Sequence, residues 1–267
     1  MLKTESELAT LRNMIGELKA HLWNLEFLEK GGVIGKYCDL YTERLDVFRQ
    51  VVEHYKDDGE DFWKAQDNWS VGDSHPQRRE NQKAFLEQMF YPYLDCGQYV
   101  CDLGAGNGEW SFEIADKVKY VDAFEYSDNM VENAAKKAKE QGISKVSFRQ
   151  ADAKTLAFDR QYDNFMMMGL LTYIFEKPDM EKILRNVYGA MKPGARLVVK
   201  DSVNLMEEDE VFLYNYQRNY QAVYRSCEGY LQIFEKAGFI LEHVKLLETI
   251  EVSGMKLGSL GAVFVKR

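Results

Sequence analysis

Two rhythms of apolar and polar positions run along this 267-residue chain. Near the start, Leu8, Leu11, Ile15, Leu18, Leu22 and Leu25 recur at spacings of three and four. That is the narrow a/d stripe of a coiled-coil helix. Glu7 and Arg12 fall on flanking positions where opposite charges pair between chains, and Gly31-Gly32 ends the helix. Residues 1–32 are therefore expected to form a heptad helix that assembles the chain into a homo-oligomer through residues 8–25. An amphipathic helix packed on its own domain is the alternative. A second helical stripe spans about 40–56, with Leu45, Phe48, Val51, Val52 and Tyr55 on one side. Residues 57–80 are mostly polar but carry Phe62, Trp63 and Trp69, so residues 33–84 read as a helical segment followed by an active-site lid. Tryptophans in a polar stretch need something to cover them, either a ligand or the core.

After a helix over about 80–90, the rhythm changes to short apolar runs separated by helical periods. Strands are expected near 98–103, 120–125, 145–149, 162–168, 195–201, 239–247 and 258–266. Helices are expected near 109–117, 127–141, 178–191 and 226–237. Such alternation predicts an α/β fold, with a doubly wound, mostly parallel, seven-stranded sheet. Only a short turn around Ser253-Gly254 separates the last two strands, so they should close the sheet as an antiparallel hairpin.

The first of these strands runs into Asp102-Leu-Gly104-Ala105-Gly106-Asn-Gly108. Three glycines on alternate positions let backbone turn sharply and lie against a ligand, and the strand–loop–helix setting is where open α/β sheets bind nucleotides. Glu125 ends the next strand, 21 residues after Gly104, at the distance expected of an acid that accepts from a ribose. A dinucleotide would want a third glycine at position 109, which is Glu109. Asp102 and Glu109 would also repel a pyrophosphate. S-adenosylmethionine (SAM) carries an ammonium and a sulfonium, which carboxylates attract. The loop favours SAM.

With Glu125-Tyr-Ser-Asp-Asn-Met130, Gln150-Ala-Asp152-Ala153 and Lys192-Pro-Gly-Ala-Arg-Leu-Val-Val199 in the same order, residues 85–267 resemble the class I SAM-dependent methyltransferases. The resemblance implies that Gly104, Ala105, Gly106 and Gly108 line the methionine end of SAM, with Asp102 reaching its ammonium. It implies that Glu125 holds the ribose hydroxyls and that Tyr126 and Met130 pack on the adenine. Asp152 would accept from the adenine amino group and the Ala153 amide would donate to the ring. Gly169-Leu-Leu-Thr172, Val199-Lys-Asp-Ser202 and Val223-Tyr-Arg-Ser-Cys-Glu-Gly-Tyr230 are also similar to the protein α-N-terminal methyltransferases. In that comparison Asp201 lies near the methyl acceptor and Trp63 near the cofactor. The arginine that follows the glycine loop in that family is replaced by Glu109, so Arg78 or Arg79 would have to meet the methionine carboxylate.

Composition narrows the substrate. A net charge of −9, with Lys and Arg scattered among acids, excludes the clustered basic surface that nucleic acid needs. Cys38, Cys96, Cys101 and Cys227 show neither paired nor metal-ligand spacing, which reads as reduced thiols, no metal and a cytoplasmic protein. The apolar runs are too short for a membrane span.

Open α/β sheets react at the carboxyl ends of their strands. That points to Met168 at the cofactor, to Tyr173, and to an insertion over 205–226 that carries Tyr214, Arg218, Tyr224 and Arg225. Aromatic rings beside guanidiniums suit a sugar-like or anionic ligand; a helix covering the sheet edge is the other reading of this insertion. Asp201 and His75 are the candidate proton acceptors. The expectation is methyl transfer from SAM to oxygen or nitrogen of a small molecule. A protein or peptide N-methyltransferase and a SAM-binding scaffold without catalysis are the alternatives.

Overall fold

The computed structural model describes residues 62–66, 76–207, 209–215, 220–252 and 255–267. The heptad helix, the 40–56 helix, His75 and Arg218 lie outside the described residues. Trp63–Leu213 and Gln221–Arg267 form one compact unit.

The strands are β1 (Tyr99–Leu103), β2 (Tyr120–Glu125), β3 (Val146–Gln150), β4 (Tyr162–Met168), β5 (Met191–Asn204), β6 (Glu210–Asn215), β7 (Tyr220–Ser226), β8 (Ile240–Val252) and β9 (Met255–Val265). They make one sheet in the order β3-β2-β1-β4-β5-β7-β6, with β9 joined antiparallel to β5 and β8 antiparallel to β9. The β1–β2, β1–β4, β2–β3 and β4–β5 pairs are parallel. Parallel neighbours need crossovers, which the helices supply: α1 (Pro76–Met89), α2 (Glu109–Ile114), α3 (Asp128–Glu140), α4 (Lys177–Ala190) and α5 (Cys227–Lys236). The expected mostly parallel sheet with its antiparallel ending is present, with nine strands among the described residues where seven were expected. The two additional strands come from the insertion. Val211, Phe212, Leu213, Tyr214, Tyr220, Val223 and Tyr224 are β-branched, aromatic or apolar, a composition that favours strand.

Both faces of the sheet are covered, because each strand sends side chains alternately to each face. Phe165, Met167, Leu197 and Val199 pack with Ile183, Leu184 and Val187 of α4 and Phe234 of α5. Met166, Val198 and Val263 pack with Phe85 and Leu86 of α1 and Trp110 and Ile114 of α2. Helix α1 sits close to the sheet because residue 261 is glycine: a Cβ there would lie 2.8 Å from the Phe85 ring. Helix α3 shows the local code in full. Ser127 caps it by accepting from the Met130 amide, Asp128 sits in its first turn and Lys137 and Lys139 in its last. Each charge opposes the nearer end of the helix dipole. Met130, Ala134 and Ala138 form its buried face.

Candidate active site

Strands β1 and β2 end side by side, with Leu103 paired to Phe124. The loop that leaves β1 therefore passes next to Glu125. Gly104 and Ala105 donate to the Phe124 carbonyl at 2.8 and 3.0 Å, which bends the chain back across the β2 end. Gly108 then enters α2 at φ 77, with Phe148 packed beneath it. A Cβ on Gly108 would lie 2.5 Å from the Phe148 ring, so the turn conformation and the space both call for glycine.

Glu125 is buried, and its two oxygens accept from the Gly106 amide at 2.8 Å and the Ser127 amide at 3.0 Å. Those bonds lock the carboxylate between loop and helix while leaving lone pairs for further donors. The Ala151 amide donates to the Glu125 carbonyl at 2.8 Å, which brings the Asp152-Ala153 turn alongside. One Asp152 oxygen accepts from the Lys154 amide. Met130 is buried, with its sulfur 4.0 Å from where a Gly106 Cβ would stand. The chain thus gathers Asp102, Gly104, Ala105, Gly106, Gly108, Glu125, Tyr126, Met130, Asp152 and Ala153 at one edge of the sheet.

Asp102 is 1% exposed, and Ser111 donates to one of its oxygens at 2.7 Å. The other oxygen, Oδ1, is buried with no hydrogen-bond partner. Burial pushes the Asp102 pKa up to about 7, against the Ser111 hydrogen bond, and the charge of Glu125 adds to the rise. A cation placed beside such an acid favours its ionised form. An ammonium arriving at Oδ1 would draw Asp102 into its ionised form. Because the free protein holds a proton on Asp102 below about pH 7, SAM affinity should increase as pH increases. Calorimetry between about pH 5.5 and 7.5 should show a gain of up to about 25-fold, from a pKa near 7 and full ionisation in the complex. Proton release on binding should disappear in Asp102→Asn. The same shift has a stability consequence. A carboxyl whose folded pKa lies above its unfolded value loses stability as pH rises between the two, here from about 4 to about 7.

The segment 63–66 bridges the two rims of this edge. The Ser127 hydroxyl donates to the Gln66 carbonyl at 2.6 Å, Lys64 stands over the Tyr126 ring, and Trp63 meets Tyr173 edge-on with centroids 4.4 Å apart. Trp63 and Tyr173, expected to serve cofactor and substrate, are thus partners of each other. Met168 ends β4 opposite Lys200 of β5.

Asp201 and Arg225 stand behind this rim. Asp201 is fully buried and accepts from the Leu171 amide, the Thr172 amide and hydroxyl, and the Tyr230 hydroxyl, at 2.7 to 3.3 Å. Arg225, 3% exposed, donates to the carbonyls of Leu171, Ile174 and Phe175 and pairs with Glu210. Both charges therefore act on the turn after β4. Tyr224 is buried, and Tyr214 lies in β6. Sequence reasoning assigned no role to Ser111 or Tyr230, which donate to the buried acids Asp102 and Asp201; their partners lie on other elements, and only packing reveals them. For the arginine that Glu109 replaces, it offered Arg78 or Arg79, and the fold pairs Arg78 with Glu248 instead. In the fold Arg79 of α1 pairs with Glu109 and Glu113 and lies over the Trp110 ring. A guanidinium is thus present at the glycine loop, supplied by another helix.

Comparison with known proteins agrees with this geometry. Residues 100–194 match the family model of a methyltransferase domain. The chain is 25% identical over 169 residues to the demethylmenaquinone methyltransferase of Lactococcus lactis, covering 54% of this chain and 66% of that one. It is 30% identical over 105 residues to phosphoethanolamine N-methyltransferase 2 of Caenorhabditis elegans, 39% of this chain and 23% of that one. The matched part is thus about two-thirds of the first relative's length and under a quarter of the second's. Among solved structures, the DhpI–SAH complex superposes with a TM-score of 0.61 at 20% identity, covering 79% of this chain and 97% of that one. Among the described residues no helix is long and apolar enough to cross a membrane. Residues 100–194 thus match a methyltransferase domain, the chain has the fold of solved SAM-dependent methyltransferases, and its cofactor is S-adenosyl-L-methionine.

Proposed function

We propose that this protein transfers the methyl group of SAM to an oxygen or nitrogen of a small molecule. The observation that carries the reading is the buried, partnerless Oδ1 of Asp102 beside a loop whose other wall is Glu125. One acid suits an ammonium and the other a pair of ribose hydroxyls, so the two grip opposite ends of one cofactor. Bound SAM supplies a methyl group already activated by its sulfonium, which leaves the protein to align the acceptor and keep water out.

The residues after β4 suit that task. A Cβ on Gly104 would lie 3.3 Å from Leu170, so the turn at 169–173 borders the glycine loop directly. Asp201 and Arg225 hold that turn from behind, one through its amides and hydroxyl and the other through its carbonyls. We assign both as positioning residues: their polar atoms are engaged by protein, and they set where Leu170 and Tyr173 stand. Trp63 against Tyr173 covers the rim above the acceptor. The two relatives named above act on demethylmenaquinone and phosphoethanolamine, which favours a small acceptor over a peptide.

The test is transfer of label from methyl-labelled SAM to a panel of alcohols, phenols, amines and peptides. Label in a low-molecular-weight hydroxyl or amine compound is expected. Label confined to peptides would overturn the substrate class. Tight SAM binding without transfer to any acceptor would favour the non-catalytic reading.

A further inference from the structure

Lys200 occupies an unusual place. It lies in β5 with its side chain on the α1 face, the face of Val198, and is 8% exposed. Its ammonium has three donors, yet it makes no hydrogen bond or ion pair with any described residue. Neighbouring charges act on it only from a distance: Asp201, Arg78 and Glu248. Asp201 is engaged on the opposite face of the sheet, and Arg78 and Glu248 are paired with each other. Burying an ammonium without a partner is costly, and burial lowers the Lys200 pKa accordingly.

Two further donors share this face. The β5–β9 register sets Lys200 opposite Gly261 and Ser202 opposite Ser259, so Ser259 is a diagonal neighbour of Lys200 on the same side. Ser259 is 4% exposed, and its hydroxyl has no partner. Phe85 rests on Gly261. One turn earlier on α1 stands Gln82, on the same helix face as Phe85. It is 1% exposed, with its amide nitrogen also partnerless. Lys200, Gln82 and Ser259 are thus buried residues on the face of β5 and β9 that α1 covers, and each is able to donate.

Space lies on the reaction side of this cluster. A Cβ added at Gly169 would have a single neighbour within 4 Å, the Lys200 Nζ at 3.8 Å. Residue 170 then borders the glycine loop. Strand β5 is separated from β1 by β4, so the Lys200 backbone stands two strand spacings, about 10 Å, from the β1 backbone. The ammonium beside Gly169 lies over the end of the intervening strand.

We propose that Lys200, with Gln82 and Ser259, forms an oxyanion subsite that holds a carboxylate or phosphate of the methyl acceptor. The inference rests on the reading of this site as a methyltransferase centre and adds the class of acceptor, one bearing an acidic group. Lys200 anchors that group electrostatically, Gln82 and Ser259 fix its orientation, and Gly169 leaves room for it beside the cofactor.

The test is calorimetric titration of the protein saturated with S-adenosylhomocysteine (SAH), with inorganic phosphate and benzoate as probes. At least one should bind wild type in the millimolar range. Lys200→Met should weaken that binding by about tenfold or more, as expected for loss of a charged hydrogen bond, while SAH affinity stays within about twofold and serves as the folding control. Gln82→Leu should give a smaller loss of the same kind, with the charge untouched. Binding of neither anion to the SAH complex, or equal binding to Lys200→Met, would overturn the subsite. A marked fall in SAH affinity in Lys200→Met would also overturn it, by assigning the ammonium to the cofactor's own carboxylate. Failure of wild type to bind SAH would strike the cofactor reading first, and this one with it.

Discussion

Asp201→Asn is expected to destabilise the fold by about 2–4 kcal/mol, read as a fall in the midpoint of chemical denaturation. The cause is the symmetry of the donors. Each oxygen accepts from a backbone amide, and each also accepts a hydroxyl, Thr172 on Oδ1 and Tyr230 on Oδ2. An asparagine has one acceptor oxygen, and its amino group must face either the Leu171 or the Thr172 amide. The hydroxyls can rotate to accept, but a backbone N–H cannot. One buried donor therefore loses its partner and meets another donor, at about 1–3 kcal/mol, and a charged hydrogen bond is lost besides. Turnover should fall with stability, because the 171–173 turn loses its anchor. A variant with full stability but turnover lowered by 10²-fold or more, the range of a lost proton acceptor, would return Asp201 to direct chemistry.

Glu125→Ala should weaken SAM binding by at least about 2–3 kcal/mol, the range for hydrogen bonds to a charged group; that is roughly 30- to 150-fold in Kd. Two effects act together. The ribose hydroxyls lose their acceptor, and the Gly106 and Ser127 amides lose theirs, so the glycine loop is no longer tied to the start of α3. Glu125→Gln should be milder, since one oxygen still accepts while the amino group opposes the other amide. Unchanged SAM affinity in Glu125→Ala, measured by calorimetry, would remove Glu125 from the cofactor site. Gly106→Val should go further and abolish binding, because residue 106 holds φ 54 and a β-branched residue is strained there.

The cofactor half of the site was legible in the amino-acid order, for a physical reason. Glycines on alternate positions, an acid before them and an acid one strand later are local requirements, each met within a few residues of a strand end. The alternation of strand and helix is local as well, since it rests on periods of two and 3.6 residues. The sequence by itself therefore determined the parallel sheet, the antiparallel ending, Asp102 and Glu125 at adjacent strand ends, and SAM as the ligand.

Tertiary structure decided what depends on partners distant in the chain. Asp201 reads from sequence as a free acid at a strand end. Only folding brings Tyr230, 29 residues away, and Thr172, also 29 away, onto its two oxygens. Arg225 reads as a substrate-binding guanidinium in an aromatic insertion, whereas β7 sets it against carbonyls up to 54 residues away. Arg79 and Glu109 look like a departure from a motif, and in three dimensions they are one pair. Lys200, Gln82 and Ser259 share no common pattern along the chain. They become a group because β5, β9 and α1 pack together, and because burial, which no spacing encodes, leaves the Gln82 amide and the Ser259 hydroxyl without acceptors beside the Lys200 strand. A residue's type and spacing say what it is able to do. Whether a polar atom is already engaged is set by neighbours that only the folded chain supplies.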